Sequence, residues 1–177
     1  MFSTILTFWF EEIDAKNWWI KDANFDQLIR DRFSAVHAAA NRCETFSWRT
    51  TAAGRLAEII VLDQFSRNMF RDQPGAFASD PLALALAQSA IAAGADLELP
   101  SPQRAFMYMP FMHSESLLIH DVAVDLFTRN RPENLDFELR HRAMIERFGR
   151  YPHRNQILGR TSTDEEIAFL QQPGSSF

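Results

Sequence analysis

The chain of 177 residues has one cysteine, two lysines and no long apolar run, and each shortage excludes a class of protein. The single Cys43 cannot form an internal disulfide, so the fold needs no oxidising compartment. No apolar stretch approaches the roughly 18 residues of a transmembrane helix. The apolar N-terminus has no basic residues and continues into Glu11 and Glu12, which is unlike a signal peptide. These absences predict a soluble, cytoplasmic protein without a membrane segment.

Positive charge is scarce over most of the chain. The formal net charge is -5 and the pI is about 5.5, which argues against a protein whose main ligand is a nucleic-acid backbone. Arginines number sixteen, against only Lys16 and Lys21. A GC-rich coding bias explains this excess over the whole chain. Where arginines cluster, the choice of arginine over lysine is explained instead by a need for bidentate contacts with a carboxylate or a phosphate.

The patterns that bind metals are missing as well. The sequence contains no His-Glu-x-x-His run and no paired-cysteine spacing. His113 and His120 lie on one face of a predicted helix, but two turns, about 10 Å, separate them, which is too far for one ion. The sequence therefore predicts neither a metal site nor a cofactor.

Helix signals recur along the chain, whereas the alternating pattern of a half-buried strand is not sustained anywhere. Apolar residues at helical spacing, together with Gly94 and Gly149 as helix ends, predict an all-α fold of seven or eight helices. We expect a single domain over residues 1–177. Pro110 is expected to end one helix at about Met109. Helix starts are predicted near Asn24, Thr51, Asp80, Ser101, Ser114, Glu133 and Ser162.

The first charged segment follows the apolar helix that is predicted to begin near Thr51. Asp63 and Arg67 are four residues apart and face the same way, a spacing that suits an ion pair. On a largely buried helix such a pair needs further partners or a ligand, because an unsatisfied buried charge costs several kcal/mol. An intrahelical salt bridge that caps the helix end explains the pair equally well.

The second segment follows Pro110 and contains His113 and Glu115. A histidine and a glutamate at the start of a helix can act as an acid–base pair. They can equally form a cap, in which the helix N-terminus stabilises the charge of Glu115. The sequence leaves both interpretations open.

The third segment, residues 140–160, carries six arginines and two histidines against one acid. Several of these cations lie around a helix end, a Tyr-Pro turn and the short segment after it: Arg147, Arg150, His153 and Arg154. Residues spread over such a bend can converge on one point, as they could not on one straight helix. An anionic ligand, or acids of the same chain such as Asp63 and Glu115, would balance their charge.

Several runs, in order along nearly the whole chain, resemble the bacterial family named domain of unknown function 924. They are Phe8-Trp9-Phe10, Trp18-Trp19 with Phe25-Asp26, and the segments 62–71, 78–81, 109–115 and 147–163, of which the last is the most specific. The resemblance implies antiparallel helix pairs, similar to a right-handed tetratricopeptide-like superhelix. It implies no established substrate, cofactor or catalytic residue. The chain departs from the family pattern at Ser66, where proline is usual, and this is expected to loosen a turn after Phe65.

Two functions fit these observations. The first is a small-molecule site, binding or enzymatic, in which arginines hold an anionic ligand and a histidine moves a proton. Its candidate ligand-binding residues are Asp63, Arg67, Arg150, Arg154 and Asn155, and its candidate catalytic residues are His113, Glu115 and His153. The second is a helical module that receives a protein partner on its concave face or its aromatic N-terminus, with the polar residues as a structural network. The polar residues at helix ends favour the first function.

Two expectations about positions follow. We expect Asp63, Arg67 and His113 to lie close to Glu115, His153 and Arg154, because acids on a buried helix need cations and only residues 140–160 supply a dense cluster. At least two of the aromatic residues 8–10 should be buried, since a helix cannot turn three successive side chains to one side.

Overall fold

The computed structural model describes residues 1–175, and over that range every regular element is helical. The α-helices are α1 (Phe2–Thr7), α2 (Ala23–Asn41), α3 (Ala52–Ile60), α4 (Ser66–Met69), α5 (Asp80–Ala92), α6 (Ser101–Met112), α7 (Leu117–Asn130), α8 (Leu135–Phe148) and α9 (Asp164–Leu170). A π-helical stretch, Phe8–Glu12, extends α1, and a second, Val61–Phe65, joins α3 to α4. Because α3 and α4 are one continuous helix, the described chain has eight, and the all-α prediction is confirmed.

Consecutive helices pack against one another in pairs. Helix α7 lies between α6 and α8, while α3 contacts α1, α5 and α6. Near the other end of the chain, α2 packs on α4 and on the π-helical stretch before it. The handedness of a superhelix and the single domain stay predictions. Over residues 1–175, no helix has both the length and the apolarity that a bilayer crossing requires.

The aromatic N-terminus belongs to the core. Phe8 and Trp9 are 0% and 1% exposed, and Phe10 is half-buried, so the predicted burial of at least two of them is confirmed. The Phe8 ring centroid lies 4.9 Å from that of Phe33 on α2, and the Trp9 centroid lies 5.5 Å from that of Phe65. Phe8 and Trp9 therefore pack against Phe65 at the end of the π-helical stretch Val61–Phe65.

Two helix starts lie one or two residues from their predicted positions. Asp22 caps α2 by accepting from the N–H groups of Asn24 at 2.8 Å and Phe25 at 3.2 Å, where we predicted Asn24 as the cap. Thr163 caps α9 instead of Ser162. In both places, neighbouring short polar side chains are suited to capping, and the backbone conformation decides between them.

Pro110 does not end its helix, so the predicted break at Met109 is wrong. Helix α6 continues to Met112, and the N–H of His113 still donates to the Met109 carbonyl at 2.9 Å. A proline in the last turn removes one helical hydrogen bond and leaves the bonds after it intact. Helix α7 then begins at Leu117, later than the predicted Ser114.

The predicted glycine stops are confirmed. Gly149 follows α8 with φ of 69°, and Gly94 follows α5 with φ of 74°. This left-handed conformation is easily adopted by glycine and turns the chain sharply after a helix. The turn at Gly149 directs the closing segment, residues 150–163, back across the ends of α6 and α7.

Candidate functional site

Asp63 lies in the π-helical stretch Val61–Phe65 and is only 1% exposed. Single π-helical turns are rare and frequent at functional sites, because their extra residue changes the direction of the side chains. The carboxylate of Asp63 accepts from Gln64 Nε2 at 2.6 Å and from His113 Nδ1 at 2.8 Å. Arg67 Nη1 lies 3.1 Å from the same carboxylate. Three side chains therefore surround a charge that is out of contact with water.

The pair of Asp63 and His113 has defined protonation states. Burial alone would raise the pKa of the Asp63 carboxyl, but the charge of Arg67 and the hydrogen bonds from His113 and Gln64 outweigh burial and hold that pKa well below its usual range. Burial, together with the charge of Arg67, lowers the pKa of His113. Asp63 is therefore ionised and accepts the Nδ1–H of a neutral imidazole, which leaves His113 Nε2 as a hydrogen-bond acceptor.

Asp80, the first residue of α5, connects the segments that carry the charges. Both nitrogens of the Arg67 fork donate to it, at 2.9 and 3.0 Å. Arg154 Nη1 reaches the same carboxylate at 3.3 Å, and Arg154 Nη2 donates to the His113 carbonyl at 3.1 Å. The sequence marked Asp80 only as a helix start, because an aspartate before a proline is a usual N-cap. The cap position is in fact Ser79, which releases the Asp80 side chain for the arginines.

Arg154 is a cation enclosed between two aromatic rings. Its guanidinium carbon lies 4.5 Å from the ring centroid of Phe77 and 4.5 Å from that of Tyr151, and the residue is 6% exposed. Burial, followed by the charge of Arg67, lowers its pKa. Within residues 1–175 its Nε has no hydrogen-bond partner. Arg154 is thus packed against both rings, with part of its donor capacity unused.

Asp80, His113 and Arg154 line a pocket of about 360 Å³. One part of its wall is polar: Asp80, His113, Ser114, Glu115 and Arg154. The larger part is apolar: Pro74, Phe77, Ala78, Pro81, Leu84, Pro110 and Leu158. The structure therefore places three of the predicted candidates on the wall of one pocket: His113, Glu115 and Arg154.

Glu115 lines the same pocket but does not pair with His113. Its carboxylate accepts the Arg160 fork at 2.7 and 2.9 Å and the Tyr151 N–H at 2.8 Å. Burial raises the pKa of Glu115, but the hydrogen bonds from Arg160 and Tyr151 lower that pKa by more. The net pKa of Glu115 is therefore below the usual value. Glu115 is therefore an ionised anchor for the closing segment, and Asp63 is the acid that orients His113.

The other candidates from the closing segment lie beside the pocket. His153 packs with its ring centroid 5.5 Å from that of Tyr151, and burial lowers its pKa to about 4. Arg150 donates two hydrogen bonds to the Glu166 carboxylate, at 2.7 and 2.8 Å, near the start of α9. Asn155 is buried, where it accepts from Arg160 Nε at 3.0 Å and donates to Ser162. Arg150 and Asn155 thus hold the closing segment in place and do not line the pocket.

Of the six residues expected to converge, the structure joins Asp63, Arg67, His113 and Arg154 directly, through their own hydrogen bonds and those of Asp80. Glu115 lies on the wall of the same pocket, and His153 is its neighbour through Tyr151. In the described part of the chain, no three histidine, cysteine or acidic side chains are grouped so as to hold a metal ion.

Residues 5–174 match the family described as bacterial protein of unknown function, DUF924. The chain belongs to this family. A solved structure of a protein of unknown function from Agrobacterium tumefaciens is 40% identical, with a TM-score of 0.92 and 96% of each chain covered. The search of curated proteins found no match. The resemblance to DUF924 is confirmed, and with it the all-α fold.

This DUF924 chain keeps a helical backbone at Ser66, the position where proline is usual in the family. There is no turn after Phe65 to loosen, because Val61–Phe65 continues directly into α4. The Ser66 hydroxyl donates to the Leu62 carbonyl at 2.6 Å and lies 2.8 Å from His37 Nε2. The expected loosening is therefore wrong, since Ser66 is bonded on both sides within the core.

The DUF924 site also contains residues that the sequence did not identify: Asp80, His120, Glu138 and Tyr151. His120 and Glu138 lie on different helices and have no motif spacing, so their pairing appears only in three dimensions. Tyr151 did lie in the most specific run, residues 147–163. Its place among cations and histidines is a signal for a functional residue, although the Tyr-Pro pair itself predicts only a turn.

Proposed function

We propose that this DUF924 protein binds a compact organic acid in the pocket formed by Asp80, His113 and Arg154, and that His113 exchanges a proton with it. The observation that carries the proposal is the position of His113. Its Nδ1 is fixed at 2.8 Å from the buried Asp63, while the residue lines the pocket beside Arg154.

His113 has the properties of a general base. Its lowered pKa keeps the imidazole neutral near pH 7. Within residues 1–175 only Asp63 hydrogen-bonds to the ring, which leaves Nε2 available to a ligand. A carboxylate behind the imidazole selects the tautomer and stabilises the cation that forms when Nε2 takes a proton. A ligand bound in the pocket would then lie within hydrogen-bond distance of His113 Nε2.

Arg154 supports an acidic ligand. Asp80 already accepts the full fork of Arg67, so its longer contact with Arg154, at 3.3 Å, is the one that a ligand carboxylate can replace. A guanidinium fork suits a carboxylate better than a lysine would, because it offers two parallel donors. The rings of Phe77 and Tyr151 keep the fork oriented before the ligand arrives.

The rest of the pocket favours an apolar body on the ligand. Most of the residues that line it are apolar, and its volume of about 360 Å³ is near the lower end of small-molecule sites. A short-chain or monocyclic carboxylic acid matches that wall and volume. A highly charged metabolite such as a nucleotide does not, since Asp80 and Glu115 would repel it.

The test uses carboxylic acids and their neutral amides as paired probes. We expect isothermal titration calorimetry to detect binding of benzoate or hexanoate and at least tenfold weaker binding of benzamide or hexanamide. Arg154→Lys should weaken the acids at least tenfold, because the amine cannot reproduce the fork. Arg150→Lys, the same change outside the pocket, should bind as the original chain does. Equal binding of acids and amides, or no binding of either, would contradict the proposal.

A protein-interaction module is the second candidate, and one observation favours it. Leu118 and Val122 on α7 are 73% and 42% exposed and one helical turn apart, and Phe137 on the adjoining helix α8 is 51% exposed. The aromatic N-terminus offers less, because Phe8 and Trp9 are used in the core. For either function we propose a cytoplasmic location, which the single cysteine supports.

A further inference from the structure

Three successive backbone carbonyls at the end of α6 each accept a hydrogen bond from a side chain outside that helix. Tyr151 Oη donates to the Met112 carbonyl at 2.5 Å, and Arg154 Nη2 donates to the His113 carbonyl at 3.1 Å. His120 Nε2 lies 2.8 Å from the Ser114 carbonyl. The last carbonyls of a helix have no intrahelical partner, so side chains can bind them. Here the three bonds enclose the residue that the proposed function requires, His113.

The bond from His120 depends on Glu138. Both residues are 0% exposed, and His120 Nδ1 lies 2.6 Å from Glu138 Oε1. A carbonyl oxygen only accepts, so His120 Nε2 must carry a hydrogen to bond Ser114. A single proton is then shared between Nδ1 and Oε1, and the couple as a whole is neutral. This shared proton fixes the imidazole in the orientation that reaches Ser114.

Tyr151 connects this couple with the pocket. Its hydroxyl oxygen lies 3.2 Å from His120 Nε2, and the face of its ring lies against the guanidinium of Arg154. One side chain therefore contacts the donor to the Ser114 carbonyl, makes the bond to the Met112 carbonyl and packs on the donor to the His113 carbonyl.

We infer that Tyr151 and the His120–Glu138 couple are positioning residues for His113: they hold the carbonyls on either side of it, and so keep its imidazole against Asp63 and facing the pocket. The link between α6 and α7 is not helical, so in the described chain no backbone N–H donates to the carbonyls of Met112, His113 and Ser114, although the His113 N–H keeps its bond to the Met109 carbonyl. Calling this arrangement catalytic positioning rests on the proposed function. The geometry itself does not, and it can be tested without any ligand.

The two tyrosines of the chain supply a matched pair of variants. Both are fully buried, and each hydroxyl donates one short hydrogen bond. Tyr108 lies on α6, and Tyr151 packs at the C-terminal end of that helix. Tyr108 donates to Asp96 at 2.6 Å, and neither residue lines the pocket or bonds the carbonyls around His113. Tyr151→Phe and Tyr108→Phe each remove one hydroxyl, and we expect a similar fall in the urea midpoint of unfolding. Only Tyr151→Phe should change His113.

The measurement is the ¹⁵N NMR spectrum of the imidazole nitrogens, recorded between pH 4 and 8, with His113 assigned from a His113→Gln variant. In the original chain we expect the Nδ1–H tautomer and a pKa below that of an ordinary histidine. In Tyr151→Phe the tautomer should shift towards Nε2–H and the pKa should rise towards the ordinary value, as the ring leaves Asp63 for solvent. Tyr108→Phe should leave both unchanged.

Glu138 supplies an independent comparison, should Tyr151→Phe fail to fold. The amide of Glu138→Gln can donate to His120 Nδ1 and preserve the bond from Nε2 to Ser114, so His113 should keep its spectrum. Glu138→Leu has no such donor and should shift His113 as Tyr151→Phe does. Identical His113 spectra in the Gln and Leu variants would overturn the inference, as would a shift in Tyr108→Phe equal to that in Tyr151→Phe. If the organic acids fail to bind while His113 shifts as expected, the positioning stands and only the proposed ligand is wrong.

Discussion

At the scale of single residues, Asp63 is a carboxylate that water does not reach, and its charge is stable only because of the groups that surround it. Arg67 and His113 both contact its Oδ1, and Gln64 donates to its Oδ2. Removing water from an ion costs several kcal/mol, so each of these contacts offsets part of a large penalty. The same enclosure makes Asp63 an effective orienting group for an imidazole.

We expect Asp63→Asn to lower the free energy of unfolding by about 3 kcal/mol, because it leaves Arg67 with one carboxylate instead of two and His113 without its charged acceptor. Urea denaturation followed by circular dichroism measures this loss. Asp125→Asn, the same chemical change in the exposed pair with Arg129, should cost less than about 1 kcal/mol. Equal losses in the two variants would show that burial does not control the energetics at Asp63.

At the scale of helices, local signals in the sequence predicted that elements exist better than where they begin. Helix starts need a short polar side chain, and α2 offers Asp22 and Asn24 within three residues. Hydrogen-bond geometry chooses Asp22, which no spacing rule reveals. The π-helical stretch Val61–Phe65 was also beyond prediction, because a π turn shifts hydrogen bonds by one residue and leaves the apolar pattern almost unchanged.

The choice of cap is testable by a pair of alanine substitutions. Asp22→Ala should destabilise the protein by about 1 kcal/mol, since two N–H groups at the start of α2 lose their acceptor. Asn24→Ala should stay within about 0.5 kcal/mol, because its exposed side chain makes no capping bond. Thermal or urea unfolding measures both. A larger loss for Asn24→Ala would restore the cap that the sequence alone suggested.

At the scale of the whole molecule, the site assembles from segments that are far apart in the chain. The sequence predicted that Asp63, His113 and Arg154 would meet, because the acids needed cations and residues 140–160 held the only dense cluster of them. The sequence did not predict which cation pairs with which acid: Arg160 forms an ion pair with Glu115, and Arg150 forms one with Glu166. Charge balance restricts the set of partners, whereas the packing of α6, α7 and the closing segment chooses among them.

The same assembly buries histidines, and this determines how stability varies with pH. Burial lowers the pKa of His141 to about 3 and that of His153 to about 4, below the ordinary value of 6.5. Between pH 6.5 and pH 4 the unfolded chain therefore binds more protons than the folded one, and stability falls as pH falls. Glu138, whose pKa burial raises, acts in the opposite direction. Glu166, with a pKa lowered to about 2 chiefly by Arg150, affects stability only at more acidic pH.

We expect the free energy of unfolding to be nearly constant above pH 7 and to be lower at pH 5 by roughly 2 kcal/mol for each of these two histidines, before the opposing effect of Glu138. Urea unfolding at pH 7.5 and pH 5.0 measures the difference. His153→Gln should reduce it by about 2 kcal/mol, because glutamine takes up no proton in either state. If His153→Gln left the difference between pH 7.5 and pH 5.0 unchanged, the His153 imidazole would reach water in the folded protein. The closing segment would then be open, and the enclosure of Arg154 between Phe77 and Tyr151, on which the proposed ligand site depends, would be lost with it.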